Sequence, residues 1–221
     1  SLTVRKLFLP FEEDIEISGE GWFPAGNFIQ KNKIIETGRN ATLQKCLKIA
    51  GLSNNSQIRH SNEKDTYELI GDPTEGALLV LARKGEFNPL TFQENRVDDL
   101  PFDSLLKLRA SIFNDEGNNE LFVSGAPEQL LKRSTKWLKS ESEIDFSLED
   151  KKQIQAKISE WSDSALRVIG LAYKKTDQNN IDPDSINDLV FVGLAGMIDP
   201  PRPDAKKAVE KCKKAGIRVI M

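Results

Sequence analysis

Apolar residues recur along this chain with two periods, and the switches between them predict most of its elements. Leu43, Cys46, Leu47 and Ala50 share one face at helical spacing, which predicts a helix over Thr42–Ala50 with Gly51 as its stop. A better-marked helix runs from Asp72 to Lys84. Asp72 is its N-cap, Pro73 sits at N1, Glu75 at N3, and Gly85 ends it. Further helices start near Ala126-Pro127-Glu128 and at Ser147, the latter with Asp150 at N3 and with Ile154, Ile158 and Trp161 on its buried face. Between the helices, β-branched and apolar runs predict strands at Thr3–Leu9, Ile15–Ser18 and Thr66–Ile70, around Val97, and at Lys107–Phe113 and Glu120–Val123. Asp115-Glu116-Gly117-Asn118 reads as a hairpin turn and Ser53–Lys64 as a polar loop. The segment from Gly19 to Gly26 reads as a turn between strands, because no helix follows it to complete a dinucleotide loop.

The last third carries two buried strands, Leu166–Tyr173 and Leu189–Ile198, joined by a polar loop containing Asp182-Pro183-Asp184. The second of these, with a helix at Pro203–Lys214 and a strand at Ile217–Met221, forms a βαβ pattern, which implies a parallel sheet. The predicted fold class is therefore α+β: a mainly antiparallel twisted sheet flanked by helices over residues 1–188, then the truncated start of a second domain at 189–221.

Composition narrows the function. The chain has 221 residues, 38% of them apolar and 29% charged, which is globular composition. A formal net charge of −3 provides no global attraction to nucleic acid or to an anionic membrane. No run approaches the roughly 18–20 apolar residues of a membrane span, so no direct membrane insertion is expected. The two cysteines, Cys46 and Cys212, fit a reducing compartment, and a single histidine, His60, makes a transition-metal site improbable.

Several residues carry candidate chemistry, each with a plainer alternative. Glu75 is placed for capping, yet as an acceptor it also suits the exocyclic amine of adenine. Phe102 is either a core residue or a stacking plate for a base. Lys107 and Arg109 alternate along a predicted strand and so share a face, as phosphate ligands or as solvated cations. Ser124-Gly125-Ala126-Pro127 leaves a strand for a helix, where a glycine admits a ligand close to the backbone. Arg167, within an otherwise apolar strand, needs an anionic partner, from the protein or from a bound phosphate. No Walker-type phosphate loop and no kinase motif set is present, which predicts weak, reversible nucleotide binding.

Taken in order, five segments resemble the cytoplasmic loop of type II P-type cation-transporting ATPases, the calcium-pump-like side of that family. They are Ser18–Gly26, Gly71-Asp72-Pro73-Thr74-Glu75, the arginine strand Leu166–Ala172, Asp199-Pro200-Pro201-Arg202, and Cys212–Ile217. Leu2-Thr3-Val4 also resembles the stretch following that family's phosphorylation motif. The resemblance implies a nucleotide-binding (N) domain joined to the start of a phosphorylation (P) domain. It implies ATP, as Mg-ATP, bound by Glu75 at the base edge, Phe102 stacking on adenine, Lys107 lining the pocket, Gly125 as its floor and Arg167 at the phosphates. Asp199 and Arg202 would be hinge residues. The remaining phosphorylation, actuator and transmembrane domains of the same pump would be its partners, at the cytoplasmic face of a membrane. This piece would bind ATP without hydrolysing it, since the phosphorylated aspartate falls outside the matched segments. One departure stands out: the family's Lys-Gly-Ala-Pro-Glu has Ser124 in the lysine position, which predicts a weaker pocket. The alternatives are an interaction or regulatory module that has lost nucleotide binding, and a phosphohydrolase of the haloacid-dehalogenase type. The latter is disfavoured by the lack of an N-terminal Asp-x-Asp.

Overall fold

A ten-residue apolar strand, Leu189–Ile198, lies in the middle of the main sheet, with nine of its ten residues buried. The computed structural model describes residues 1–61, 65–199 and 203–218. The chain opens with β1 (Thr3–Phe8), β2 (Ile15–Ile17), β3 (Phe28–Gln30) and β4 (Lys33–Ile34). Next come α1 (Ala41–Leu52), the hairpin β5 (Gln57–Ser61) and β6 (Thr66–Ile70), and α2 (Pro73–Lys84). A meander of β7 (Arg96–Asp103), β8 (Leu108–Asp115) and β9 (Asn118–Gly125) leads to α3 (Pro127–Arg133). The remaining elements are β10 (Ser134–Lys139), β11 (Ser142–Asp145), α4 (Leu148–Asp163), β12 (Arg167–Thr176), β13 (Leu189–Ile198) and α5 (Pro203–Lys214).

The main sheet runs in the order β4-β3-β2-β1-β13-β12-β9-β8-β7, with β10 and β11 joined at one side. Among the described residues its pairings are antiparallel, apart from β10 with β13. β12 covers one edge of β13 from Arg167 opposite Met197 to Tyr173 opposite Val190. The other edge is shared, β1 taking Leu194 to Ile198 and β10 taking Leu189 to Phe191. Such a strand must be apolar on both faces, and its sequence is. Val190 and Val192 join the core under α1 and α2, whereas Phe191 and Leu194 meet Ile154, Ile158 and Trp161 of α4. At Gly196 a Cβ would lie 2.8 Å from the Trp161 ring, so only glycine lets the indole rest on the strand. The predicted α+β class, an antiparallel sheet flanked by helices, describes the molecule.

Four sequence expectations change. Residues 189–198 do not begin a separate parallel unit; β13 is a central strand of the same sheet as β1 and β12. Ile217 and Arg218 carry no strand, and the rest of the strand expected at Ile217–Met221 lies outside the described residues, as do Pro200, Pro201 and Arg202. Gly51 does not stop α1, which continues to Leu52 with Gly51 packed on Phe87. The loop expected over Ser53–Lys64 contains β5, which among the described residues pairs only with β6. That strand lacks buried positions, so no apolar alternation announces it.

α2 is tied to the turn at Gly19–Gly26 by one side chain. Lys84 is 7% exposed and its Nζ donates to the Ser18 carbonyl at 2.7 Å. Among the described residues no carboxylate pairs with it. Burial, helped by the Arg5 charge, pushes its ammonium down to about 8. Between that value and the usual 10.5 the unfolded chain binds more protons than the folded one, so stability rises with pH across this window. Denaturant melts of wild type and Lys84→Met should therefore show wild type gaining on the variant between pH 8 and 10; a difference that stays flat would refute a depressed Lys84.

Candidate functional site

A cavity of about 550 Å³ opens where the N-terminus of α2 meets the ends of β7, β8, β9 and β12, with α4 closing one side through Ile158 and Ser162. All six residues singled out in the sequence line it: Glu75, Phe102, Lys107, Ser124, Gly125 and Arg167. The elements that place them are local in origin. Asp72 caps α2 by accepting from the amides of Thr74 at 2.8 Å and Glu75 at 3.1 Å, and Pro73 follows at N1. The turn from β7 to β8 is held by the Asp103 carboxylate, which accepts from the amides of Leu105 and Leu106.

Phe102 is 59% exposed, so it is not a core residue; its ring stands at the cavity on the last turn of β7. Lys107 does not share a strand face with Arg109. It precedes β8 in a left-handed conformation, φ 56°, and its side chain is exposed. Arg167 is the first residue of β12 and is exposed, so burial does not demand an internal partner for it. Among the described residues neither Lys107 nor Arg167 makes an ion pair. The cavity rim thus carries an exposed aromatic plate and two uncommitted cations.

Gly125 lies between Leu108 on β8 and Gly170 on β12. A Cβ there would sit 2.4 Å from the Lys107 carbonyl oxygen and 2.6 Å from the Leu108 Cα, so the floor of the cavity is bare backbone. Ser124 is 4% exposed and shares a 2.8 Å hydrogen bond with the Ser53 hydroxyl.

The interior wall was not legible from the chain alone. Arg109, 2% exposed, is no solvent-facing cation. Its Nη1 donates to Glu75 Oε2 at 2.5 Å and its Nη2 to Asp99 Oδ1 at 2.6 Å. Asn55 adds its amide to Glu75 Oε2 at 2.7 Å and its side chain to Asp99 Oδ2 at 2.6 Å. Arg96 donates to the Asn55 side chain and to the Asn54 carbonyl. Burial acts to raise the Asp99 carboxyl, but hydrogen bonds from Ser111 and Asn55 and the charges of Arg109 and Arg96 hold it below the usual carboxylate range. Glu75 therefore works as the partner of Arg109, and the capping is left to Asp72. Arg109 also stands directly opposite Ser124, so a cation is present beside the serine after all.

With this geometry in place, comparison with known proteins is decisive. The family of the P-type ATPase cytoplasmic domain N matches residues 42–204. The chain belongs to that family. A calcium-transporting ATPase of Bacillus subtilis is 36% identical over 210 residues, covering 93% of this chain and 23% of that protein. The cation-transporting ATPase pma1 of Synechocystis is 36% identical over 216 residues with the same coverage. An endoplasmic reticulum-type calcium-transporting ATPase of Arabidopsis thaliana is 29% identical over 241 residues, 96% of this chain and 24% of that protein. The chain thus spans about a quarter of the length of these P-type ATPases. No helix among the described residues is long and apolar enough to cross a membrane.

Because backbone atoms fill the space a side chain would need at the N-domain floor, Gly125→Ala should destabilise the fold by about 1–3 kcal/mol in urea titration. An unchanged midpoint would show that the β8–β9 backbone yields easily.

Proposed function

We propose that this chain binds ATP in the cavity between α2 and the β7–β9 meander and presents it for phosphorylation of an aspartate outside these residues, as the nucleotide-holding unit of an ATP-driven cation pump. The observation that carries this reading is the exposed Phe102 ring beside two unpaired cations, at the mouth of a cavity with a backbone floor. Adenine stacks on Phe102 with its amine toward Glu75, and Lys107 and Arg167 meet the phosphates. A volume of about 550 Å³ lies within the roughly 300–1,000 Å³ of small-molecule sites. Mg²⁺ travels with the nucleotide as Mg-ATP in this reading. The membership in the N-domain family supports the same reading, and the names of the relatives point to calcium as the transported ion.

The rest of the pump supplies the chemistry. Phosphoryl transfer needs an in-line nucleophile and charge compensation at the transferred group, and in this reading the aspartate that accepts the phosphoryl group lies outside these residues. The domain works at the cytoplasmic face of a membrane, with the phosphorylation, actuator and transmembrane domains of the same pump as its partners. The inclusion of β13 in the main sheet supports a passage into the phosphorylation domain after Ile198 instead of at 189.

Titration with ATP followed by heteronuclear NMR should give saturable shifts at Glu75, Phe102, Lys107, Gly125 and Arg167. Phe102→Ala should weaken binding by about 5- to 150-fold, the equivalent of about 1–3 kcal/mol of lost stacking. Absence of shifts at millimolar ATP would reject the reading. A phosphate-release assay on the purified chain should remain at the blank; turnover that disappears in Phe102→Ala would show that these residues suffice for hydrolysis.

A further inference from the structure

Arg109 is the largest buried polar side chain among the described residues, and binding of phosphates does not account for it, because both of its terminal nitrogens are already engaged. Its two acceptors differ in setting. Asp99 faces Arg109, Arg96, Asn55 and Ser111 and is satisfied on both oxygens. Glu75 receives Arg109 and the Asn55 amide on a single oxygen, Oε2, while its side chain lines the cavity. No protein donor meets Oε1 among the described residues.

That asymmetry has a chemical meaning. A purine with an amine at C6 offers a donor that one carboxylate oxygen can accept. A 6-oxopurine such as guanine offers a carbonyl there, and its N1–H and 2-amine together suit a carboxylate only when both oxygens are open. With Oε2 already committed, the two-point contact is denied, and the remaining oxygen faces a carbonyl of like polarity. Failure to pair a buried polar group is costly in a site of this kind. We infer that Arg109 is a positioning residue for base selection: by holding Glu75 through Oε2 it leaves a one-oxygen acceptor that favours 6-aminopurine nucleotides over 6-oxopurine ones. This rests on the nucleotide-binding reading above and names the selectivity of the same cavity.

The arrangement also alters what Ser124 means. Ser124 lies directly across from Arg109, and both line the cavity. A lysine introduced at 124 alone would stand beside a guanidinium already holding two carboxylates, so it is not expected to tighten ATP binding.

The test uses the whole chain and two probes, ATP and GTP, titrated into wild type, Arg109→Met and Arg109→Lys, with the Phe102 signals confirming that the base still stacks. Wild type should favour ATP by at least about tenfold. Arg109→Met takes the guanidinium off Oε2, leaving the Asn55 amide as its one donor and reopening an acceptor position, and should bring the two nucleotides within about threefold, chiefly by GTP gaining relative to ATP. Arg109→Lys, whose single-point ammonium cannot fork between two carboxylates, should fall between them. An ATP-to-GTP ratio unchanged in both variants overturns the inference. Should Arg109→Met fail to fold, the ratio in Arg109→Lys decides alone, a wild-type value refuting the role. Wild type that binds both nucleotides equally sinks base selection but not nucleotide binding; wild type that binds neither sinks both.

Discussion

Burial of β13 on both faces is the constraint from which the rest of the architecture follows. Strand partners on both edges and helices above and below leave it no polar position, and its side chains divide between the core under α1 and α2 and the core under α4. Because β12 is registered against it from Arg167 onward, β13 also sets the height at which Arg167 enters the cavity. β9 is registered on β12, and β8 on β9, so the placement of Gly125, Ser124 and Arg109 passes outward through the same ladder. The side of the site that runs from Phe102 to Arg167 is held by one continuous hydrogen-bonded sheet, to which Arg109 ties Glu75 of α2.

Beside that apolar frame sits a compact charged one. Two arginines, two carboxylates, Asn55 and the Asn54 carbonyl bind one another behind the cavity. Networks of this kind add little net stability, since desolvation offsets most of the attraction, but removing one member typically costs about 3–5 kcal/mol. Their value lies in fixing a geometry. Here the rigid inner wall contrasts with the outer rim, where Phe102, Lys107 and Arg167 are exposed and reach into solvent. The wall is fixed by hydrogen bonds within the protein, whereas Lys107 and Arg167 of the rim make no ion pair among the described residues.

What could be read from the chain divides along the same line. The α2 cap was legible because it is local, an Asp-Pro pair with its acceptor two and three residues from its donors. The six cavity residues were legible through the resemblance to a known family. The inner wall was not, because the partners of Arg109 lie 34 and 10 residues away and nothing local links them. The principle that would have found it was available: an arginine inside an apolar strand needs an anion. It holds for Arg109 in Leu108-Arg109-Ala110-Ser111-Ile112-Phe113, buried throughout, and not for Arg167, which a strand end exposes. That β13 belongs to the main sheet was missed for a related reason. An apolar run tells that a strand is central, whereas its neighbours alone determine whether they run parallel or antiparallel.

The pairing of β1 with β13 has a consequence for how such a unit is carried. Thr3 stands opposite Ile198, so the polypeptide enters the sheet and leaves it through adjacent antiparallel strands, like the two wires of one plug. A body connected in this way can be housed within a loop of another protein without prying the host open. Two strands side by side resist being pulled apart along their length but offer little resistance to swivelling. The sheet and the cores packed on it can then turn as one piece while their interior stays unchanged.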